Sequence, residues 1–274
     1  MMTDTSEADA RFAEWMHANL HRAAEHFRLT VTGEPLHGWI GRSISAPVSK
    51  DGDQYWLRVV SEDRKWIGGD FWTGNLDANI FTDIAKPRVL DVYEWEEWRQ
   101  QRAEVMTRVP GHPCSPTDAL RTVVDLPAEW WTELRRTITT VAATPTRRVN
   151  TDQEKLADRV GQRFGDSVDP TVTEWETVHG DVHWANLFGH RFGLLDWELW
   201  GTGPAGTDAA TLLCYSLLVP DIAERVRTTF ADILDTSAGR LAQLYVVARL
   251  LRRTDRGDYP DLAEPLAAHA RDLL

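Results

Sequence analysis

The spacing of apolar and polar residues changes character along the chain. Residues 9–27 carry apolar positions at helical spacing on a polar background, which predicts an amphipathic helix. The texture then becomes strand-like. Residues 34–44 and 46–49, separated by a short polar break, and residues 54–60 predict three strands of a meander, with Lys50-Asp51-Gly52-Asp53 as the turn before the third. Residues 66–84 are ambiguous and fit a helix broken at Gly74, whereas residues 88–93 and 102–109 predict two further strands. Pro110-Gly111-His112-Pro113 ends them with a cluster of backbone breakers, and there the boundary falls between an N-terminal lobe, 1–109, and a C-terminal lobe, 110–274.

Beyond that boundary the pattern is helical. Residues 127–142, 153–164, 207–218, 221–234 and 237–253 each repeat apolar residues at helical spacing, and several open with Asp, Ser or Pro, which suit a helix start. One short stretch departs from this: Leu187-Phe188 and residues 192–195 predict two small strands joined by a Gly-containing turn. No internal repeat or low-complexity tract interrupts the plan, and the fold class it predicts is α+β.

The small hairpin carries the chemistry. His179-Gly180-Asp181-Val182-His183-Trp184-Ala185-Asn186 precedes it and Asp196-Trp197-Glu198 follows it, so its geometry brings Asp181, Asn186 and Asp196 to one end. Asp181 is placed to accept a hydroxyl proton, and Asn186 and Asp196 offer the oxygen ligands that Mg²⁺ prefers. A loop Asp or Asn taken singly more often caps a turn. Three together at this spacing point to phosphoryl transfer, which asks mainly for positioning and charge neutralisation. His183 has no second His or Cys at ligand spacing and is read as a structural hydrogen-bonding residue, and Trp184 and Trp197 as packing residues.

HGDVHWANLF followed by LLDWE resembles the aminoglycoside phosphotransferase and choline kinase family, specifically over residues 178–198 and more loosely over most of the chain. The resemblance implies a bilobal protein-kinase-like fold, with a small antiparallel-sheet N-lobe and a larger, mostly helical C-lobe. It assigns Asp181 as catalytic base and Asn186 and Asp196 as magnesium ligands, and it makes His179 and Asp208 braces. The cofactors it implies are ATP, with GTP as the alternative nucleotide, and Mg²⁺, with adenine meeting the backbone at Met106, Thr107 and Val109.

The nucleotide half departs from the family pattern. A lysine ordinarily reaches the phosphates from the third strand, yet Tyr55-Trp56-Leu57-Arg58-Val59-Val60 places Arg58 there. Arginine keeps the charge as a longer, planar fork. Three readings stay open: Arg58 takes the role, Lys50 or Lys65 reaches in, or nucleotide binding is weakened. Glu62, Asp70 and Asp77 are candidate acidic partners with no choice among them, and Gly38, Gly41 and Ser43 read as turn formers before they read as phosphate-binding groups.

Composition narrows the partners. A formal charge of −12, from 30 basic and 42 acidic residues, argues against nucleic acid or an anionic membrane as the main partner. Two cysteines make no disulfide framework, and residues 1–11 hold no apolar signal core, so a cytoplasmic location is expected. Thirteen tryptophans are assigned mostly to packing. The acceptor expected first is a small-molecule alcohol. A Ser or Thr hydroxyl of a peptide natural-product precursor is second, and a catalytically silent nucleotide- or partner-binding kinase fold is third. The sequence leaves the oligomeric state open.

Overall fold

A computed structural model describes residues 2–274, with the side chains of residues 7–38 and 40–274. The chain divides into two compact units, Met1–Asn79 with Pro87–Val109, and Ile80–Lys86 with Pro110–Leu274.

In the first unit the helix α1 (Met2–Phe27) precedes the strands β1 (Thr30–Val31), β2 (Leu36–His37), β3 (Ser43–Lys50), β4 (Asp53–Glu62), β5 (Val89–Glu96) and β6 (Gln100–Thr107). They form an antiparallel sheet in the order β1-β3-β4-β6-β5, with β2 also on β3. The β3–β4 hairpin closes through Asp51 at φ 54° and Gly52 at φ 91°, with Lys50 opposite Asp53. Two left-handed residues match the twist of paired strands, which is why Asp-Gly stands here. Along β3 burial alternates, and Ile44, Ala46 and Val48 join Leu57, Val59, Ala103 and Val105 beneath Met16, Leu20, Ala23 and Ala24 of α1.

Three expectations for this unit shift. The strand expected over 34–44 is interrupted by a turn at Gly38–Gly41, and β3 then runs without a break through Ser45. Ser45 lies between Leu36 and Arg58 in the ladder, so a polar side chain in a paired position had looked like a strand end. β5 and β6 form a tighter hairpin than 88–93 and 102–109 implied, because Glu94, Trp95 and Glu96 pair with Arg102, Gln101 and Gln100 across it. The ambiguous stretch after β4 is a series of 3₁₀ turns around a single helical turn, α2 (Gly74–Asp77). Gly68, Gly69 and Gly74 leave no run long enough to nucleate a stable helix.

The second unit contains α3 (Ala128–Ala142), α4 (Gln153–Phe164), β7 (Trp175–Val178), β8 (Leu187–Phe188), β9 (Gly193–Leu194), β10 (Gly201–Pro204), α5 (Thr207–Ser216), α6 (Pro220–Thr229), α7 (Ala231–Leu234), α8 (Ser237–Thr254) and α9 (Ala263–Leu273). Asp152 caps α4 by accepting the Lys155 N–H, and Thr236 caps α8 by accepting that of Gly239. All of α5 is buried, with α6 and α8 against it, and α8 also receives α4 and α9. The helix expected over 221–234 is two, broken at the buried Phe230, whose φ and ψ of −120° and 22° leave the helical region. α9 lies beyond the last helix expected from the sequence, and its Pro265 sits in the first turn, where a proline's missing N–H costs no helical bond. Among the described residues no helix is long and apolar enough to cross a membrane.

Candidate active site

Two antiparallel pairs frame the motif loop in the second unit. Strand β7 pairs with β10, Val178 opposite Gly201, and delivers the chain to His179. Strand β8 pairs with β9, Leu187 opposite Leu194, so the expected small hairpin forms and Asp196 follows it closely. Between them Gly180 turns the backbone at φ 84°, and a Cβ there would lie 2.1 Å from Asn150 Nδ2, so both conformation and space call for glycine.

The loop is held from behind. Asp208, in the first turn of α5 and 2% exposed, accepts the His179 N–H at 2.7 Å and the Gly180 N–H at 2.8 Å, one on each carboxylate oxygen. Arg249 of α8 donates to Gly180 O at 3.0 Å, and the Asp181 N–H donates to His179 Nδ1 at 3.3 Å. These bonds fix the direction in which Asp181 leaves the loop. Trp184 and Trp197 are buried, their indole N–H groups donating to Ser216 Oγ at 3.0 Å and Leu194 O at 2.8 Å, as packing residues would.

Asp181, Asn186 and Asp196 are brought together by backbone as well as by side chain. Asn186 Nδ2 donates to Asp181 O at 3.1 Å, and the Leu195 N–H donates to Asn186 O at 2.9 Å, which sets Asp196 beside the loop. Asp196 adopts φ 62°, a left-handed conformation that aspartate tolerates better than most residues and that recurs at functional sites. Both side-chain contacts of Asn186, to Asp181 O and at 3.1 Å to His183 Nε2, are made through its nitrogen. Its amide oxygen is thereby the end left for a cation. Among the described residues no three His, Cys, Asp or Glu side chains form a metal cage. One carboxylate and one amide oxygen suit Mg²⁺, which keeps several waters and takes phosphate oxygens as its remaining ligands.

The charges here are coupled. Burial pushes the Asp181 carboxyl up, but the neighbouring His183, by charge and hydrogen bond, and Arg249 outweigh it and hold the group well below the usual carboxylate range. Burial pushes His183 down, and Asp181 and Asp118 reverse this to leave it raised. Burial, helped by the charges of His183 and Lys86, takes His179 down to about 4 against the pull of Asp181, so it is a neutral brace near neutral pH. His183 thus does make structural hydrogen bonds, with partners that are themselves site candidates.

In the first unit Arg58 lies opposite Glu104 across β4 and β6, with Nη1 3.8 Å from Glu104 Oε2. Glu104 is 1% exposed and also accepts from Arg102 Nε at 2.9 Å and Asn75 Nδ2 at 2.9 Å. Glu104 was not among the expected acidic partners, because the pairing register, and no local pattern, sets it against Arg58. Glu62 faces Arg42 and Arg99, and Asp77 accepts from Thr73 Oγ1. Lys50 donates to Phe27 O and Lys65 pairs with Asp63. Met106 is paired on both sides within the sheet, and the Thr107 N–H is taken by Arg88 O, so Val109 alone of the three expected adenine-binding positions lies past the strand end. Gly38 to Ser43 is a tight backbone turn, Gly38 donating to Ser43 O at 2.9 Å. A further cation went unnoticed in the sequence: Lys86 is 5% exposed in the second unit, 5.5 Å above the Trp197 ring and close enough for His179 to feel its charge. Ala85-Lys86-Pro87 carries no pattern that could have revealed it.

Comparison with known proteins bears on the fold and the family. The chain is similar to a solved aminoglycoside phosphotransferase APH(4)-Ia, a thermostable mutant in ternary complex with ADP and hygromycin B, at 14% identity and a TM-score of 0.61, covering 93% of this chain and 97% of that one. An amicoumacin kinase solved with AMP-PNP, Ca²⁺ and amicoumacin is 15% identical with a TM-score of 0.55, covering 98% and 95%. Aminoglycoside phosphotransferase APH(3'')-Id from Streptomyces rimosus is 14% identical with a TM-score of 0.51, covering 78% and 91%. At such identities the likeness establishes the α+β kinase-like fold. No curated protein matches the chain. The model of the phosphotransferase enzyme family matches residues 72–251, more than half of the chain and inclusive of the motif loop, its hairpin and its Asp208 brace, and the chain therefore belongs to that family.

Proposed function

We propose that this protein transfers the γ-phosphate of ATP to a hydroxyl of a small molecule. The observation that carries the reading is the gathering of Asp181, Asn186 and Asp196 by one hairpin, with Asp181 steered by a buried brace behind the loop. In this reading Asp181 orients the acceptor hydroxyl and takes its proton, as a base within hydrogen-bond reach does. Asn186 and Asp196 would hold Mg²⁺, which when bound neutralises charge on the nucleotide phosphates. Arg58, kept in place by Glu104, supplies the remaining positive charge, and its planar fork suits two phosphate oxygens. Backbone from Arg108 onward, past the last paired residue of β6, is where adenine would find unoccupied groups.

A thermal-shift titration with ATP or GTP and Mg²⁺, followed by ADP formation over a panel of alcohols and Ser-containing peptides, tests the reading. A ligand at 100 times its Kd stabilises the folded state by about 2.7 kcal/mol, enough to raise the melting temperature by several degrees. Asp196→Ala is expected to abolish the Mg²⁺-dependent part of that shift, measured from the variant's own unliganded melting temperature. An unaltered shift in Asp196→Ala would remove the metal assignment, and no shift with either nucleotide would remove the kinase reading.

A further inference from the structure

The contacts of His183 were not explained by the motif. Its ring is 6% exposed, and a single atom, Nε2, lies 3.3 Å from Asp181 Oδ2, 3.1 Å from Asn186 Nδ2 and 3.7 Å from Asp118 Oδ1. Nδ1 is buried with no hydrogen-bond partner. The ring therefore has all its polar contacts at one end. Nε2 carries at most one hydrogen: aimed at Asp181 Oδ2, it makes the Asn186 Nδ2 contact a meeting of two N–H groups and no hydrogen bond, and Asp118 Oδ1 at 3.7 Å attracts the ring without bonding it.

Asp118 is itself fastened. Its Oδ2 accepts from the Tyr259 hydroxyl at 2.5 Å and from Arg253 Nη1 at 3.3 Å, and its backbone O accepts the Trp184 N–H at 3.2 Å. The Tyr215 ring stands edge-on to His183 at 5.7 Å, and Arg253 donates to the Tyr215 hydroxyl at 3.2 Å. Asp118 of the 111–120 loop and Tyr215 of α5 thus meet the imidazole, and Arg253 at the end of α8 and Tyr259 after it hold those two in turn. Nothing in the fold of the motif loop demands this, since Asp208 and Arg249 already fix its backbone.

A carboxylate on a short side chain can rotate about two bonds, and a misplacement of 1 Å at a reacting group costs up to about 10²-fold in rate. We propose that His183, backed by Asp118, is a positioning residue that clamps Oδ2 of Asp181 and so presents Oδ1 to the acceptor hydroxyl. The inference rests on Asp181 being the base. Asp118 approaches the same nitrogen at 3.7 Å, beyond hydrogen-bond reach, so it draws the ring electrostatically while its hydrogen bonds go to Tyr259 and Arg253, and it does not meet the hydroxyl.

Two readouts on the full-length protein decide it. With ¹⁵N-labelled histidine, the ring N–H of His183, identified by its loss in His183→Gln, should resonate downfield and should move in both Asp181→Asn and Asp118→Asn. A ring signal indifferent to both substitutions overturns the clamp, whether or not the protein is a kinase. In ADP-formation kinetics His183→Leu should lower kcat by about 30- to 100-fold at unchanged KM for ATP. His183→Gln, which can still donate to the carboxylate, should recover most of that loss. In the Asp181→Asn background His183→Leu should cost nothing more, because residues acting as a unit are not additive. Equal losses for Gln and Leu, or additive losses in the double variant, overturn the proposal. Wild type that binds nucleotide yet forms no ADP would sink the kinase reading, and the ring signal would then decide the clamp.

Discussion

Asp181→Asn is expected to bind nucleotide and Mg²⁺ as the wild type does and to turn over about 10²- to 10⁴-fold more slowly, the range typical of a lost general base. The substitution is nearly isosteric, so the Asp181 N–H bond to His179 and the Asn186 bond to Asp181 O, both made by backbone atoms of residue 181, should persist. What disappears is a basic oxygen. The positive environment of His183 and Arg249 keeps the carboxyl ionised across ordinary assay conditions, which makes it available to receive a proton throughout. The thermal shift with Mg²⁺-ATP separates a chemical defect from a binding defect, and wild-type turnover in the variant would remove the assignment.

Asp208→Ala should damage stability and turnover together. Its carboxylate satisfies two buried N–H groups, and leaving both without acceptors costs about 1–3 kcal/mol each, hence about 2–6 kcal/mol in urea unfolding. Asp208→Asn, with one acceptor oxygen left, should fall between. The effect should also depend on pH. Burial pushes the Asp208 carboxyl up to about 7, above the ordinary value of 3.8 that it regains on unfolding. Between those values the folded state holds the proton more tightly than the unfolded chain, so the contribution is full below about pH 4 and declines as pH rises through 7. The gap in stability between wild type and Asp208→Ala is therefore expected to be wider at pH 5 than at pH 8. A gap that widens with pH would mean that the carboxylate enters the fold already ionised.

The parts legible in the sequence are those whose partners lie close along the chain. The Lys50 to Asp53 turn and the β8–β9 hairpin each need a few adjacent residues, and both are legible in the sequence. Asp181, Asn186 and Asp196 fall within sixteen positions, so covalent geometry alone brings them near one another. Glu104 and Asp118 were invisible for the opposite reason. The first meets Arg58 through strand register, and the second reaches His183 through the folding of distant segments. α9 and the break at Phe230 depend on tertiary burial that overrides local propensity.

Arg58 and Glu104 sit on adjacent strands, which has a bearing on control. In protein kinases the acid that steadies the phosphate-binding lysine rides on a helix, and swinging that helix away switches the enzyme off. An acid built into a central strand, bonded also to Arg102 and Asn75, has no comparable freedom of movement. Such a pair is assembled once, when the sheet folds, and an enzyme that uses it would need no helix movement to complete it.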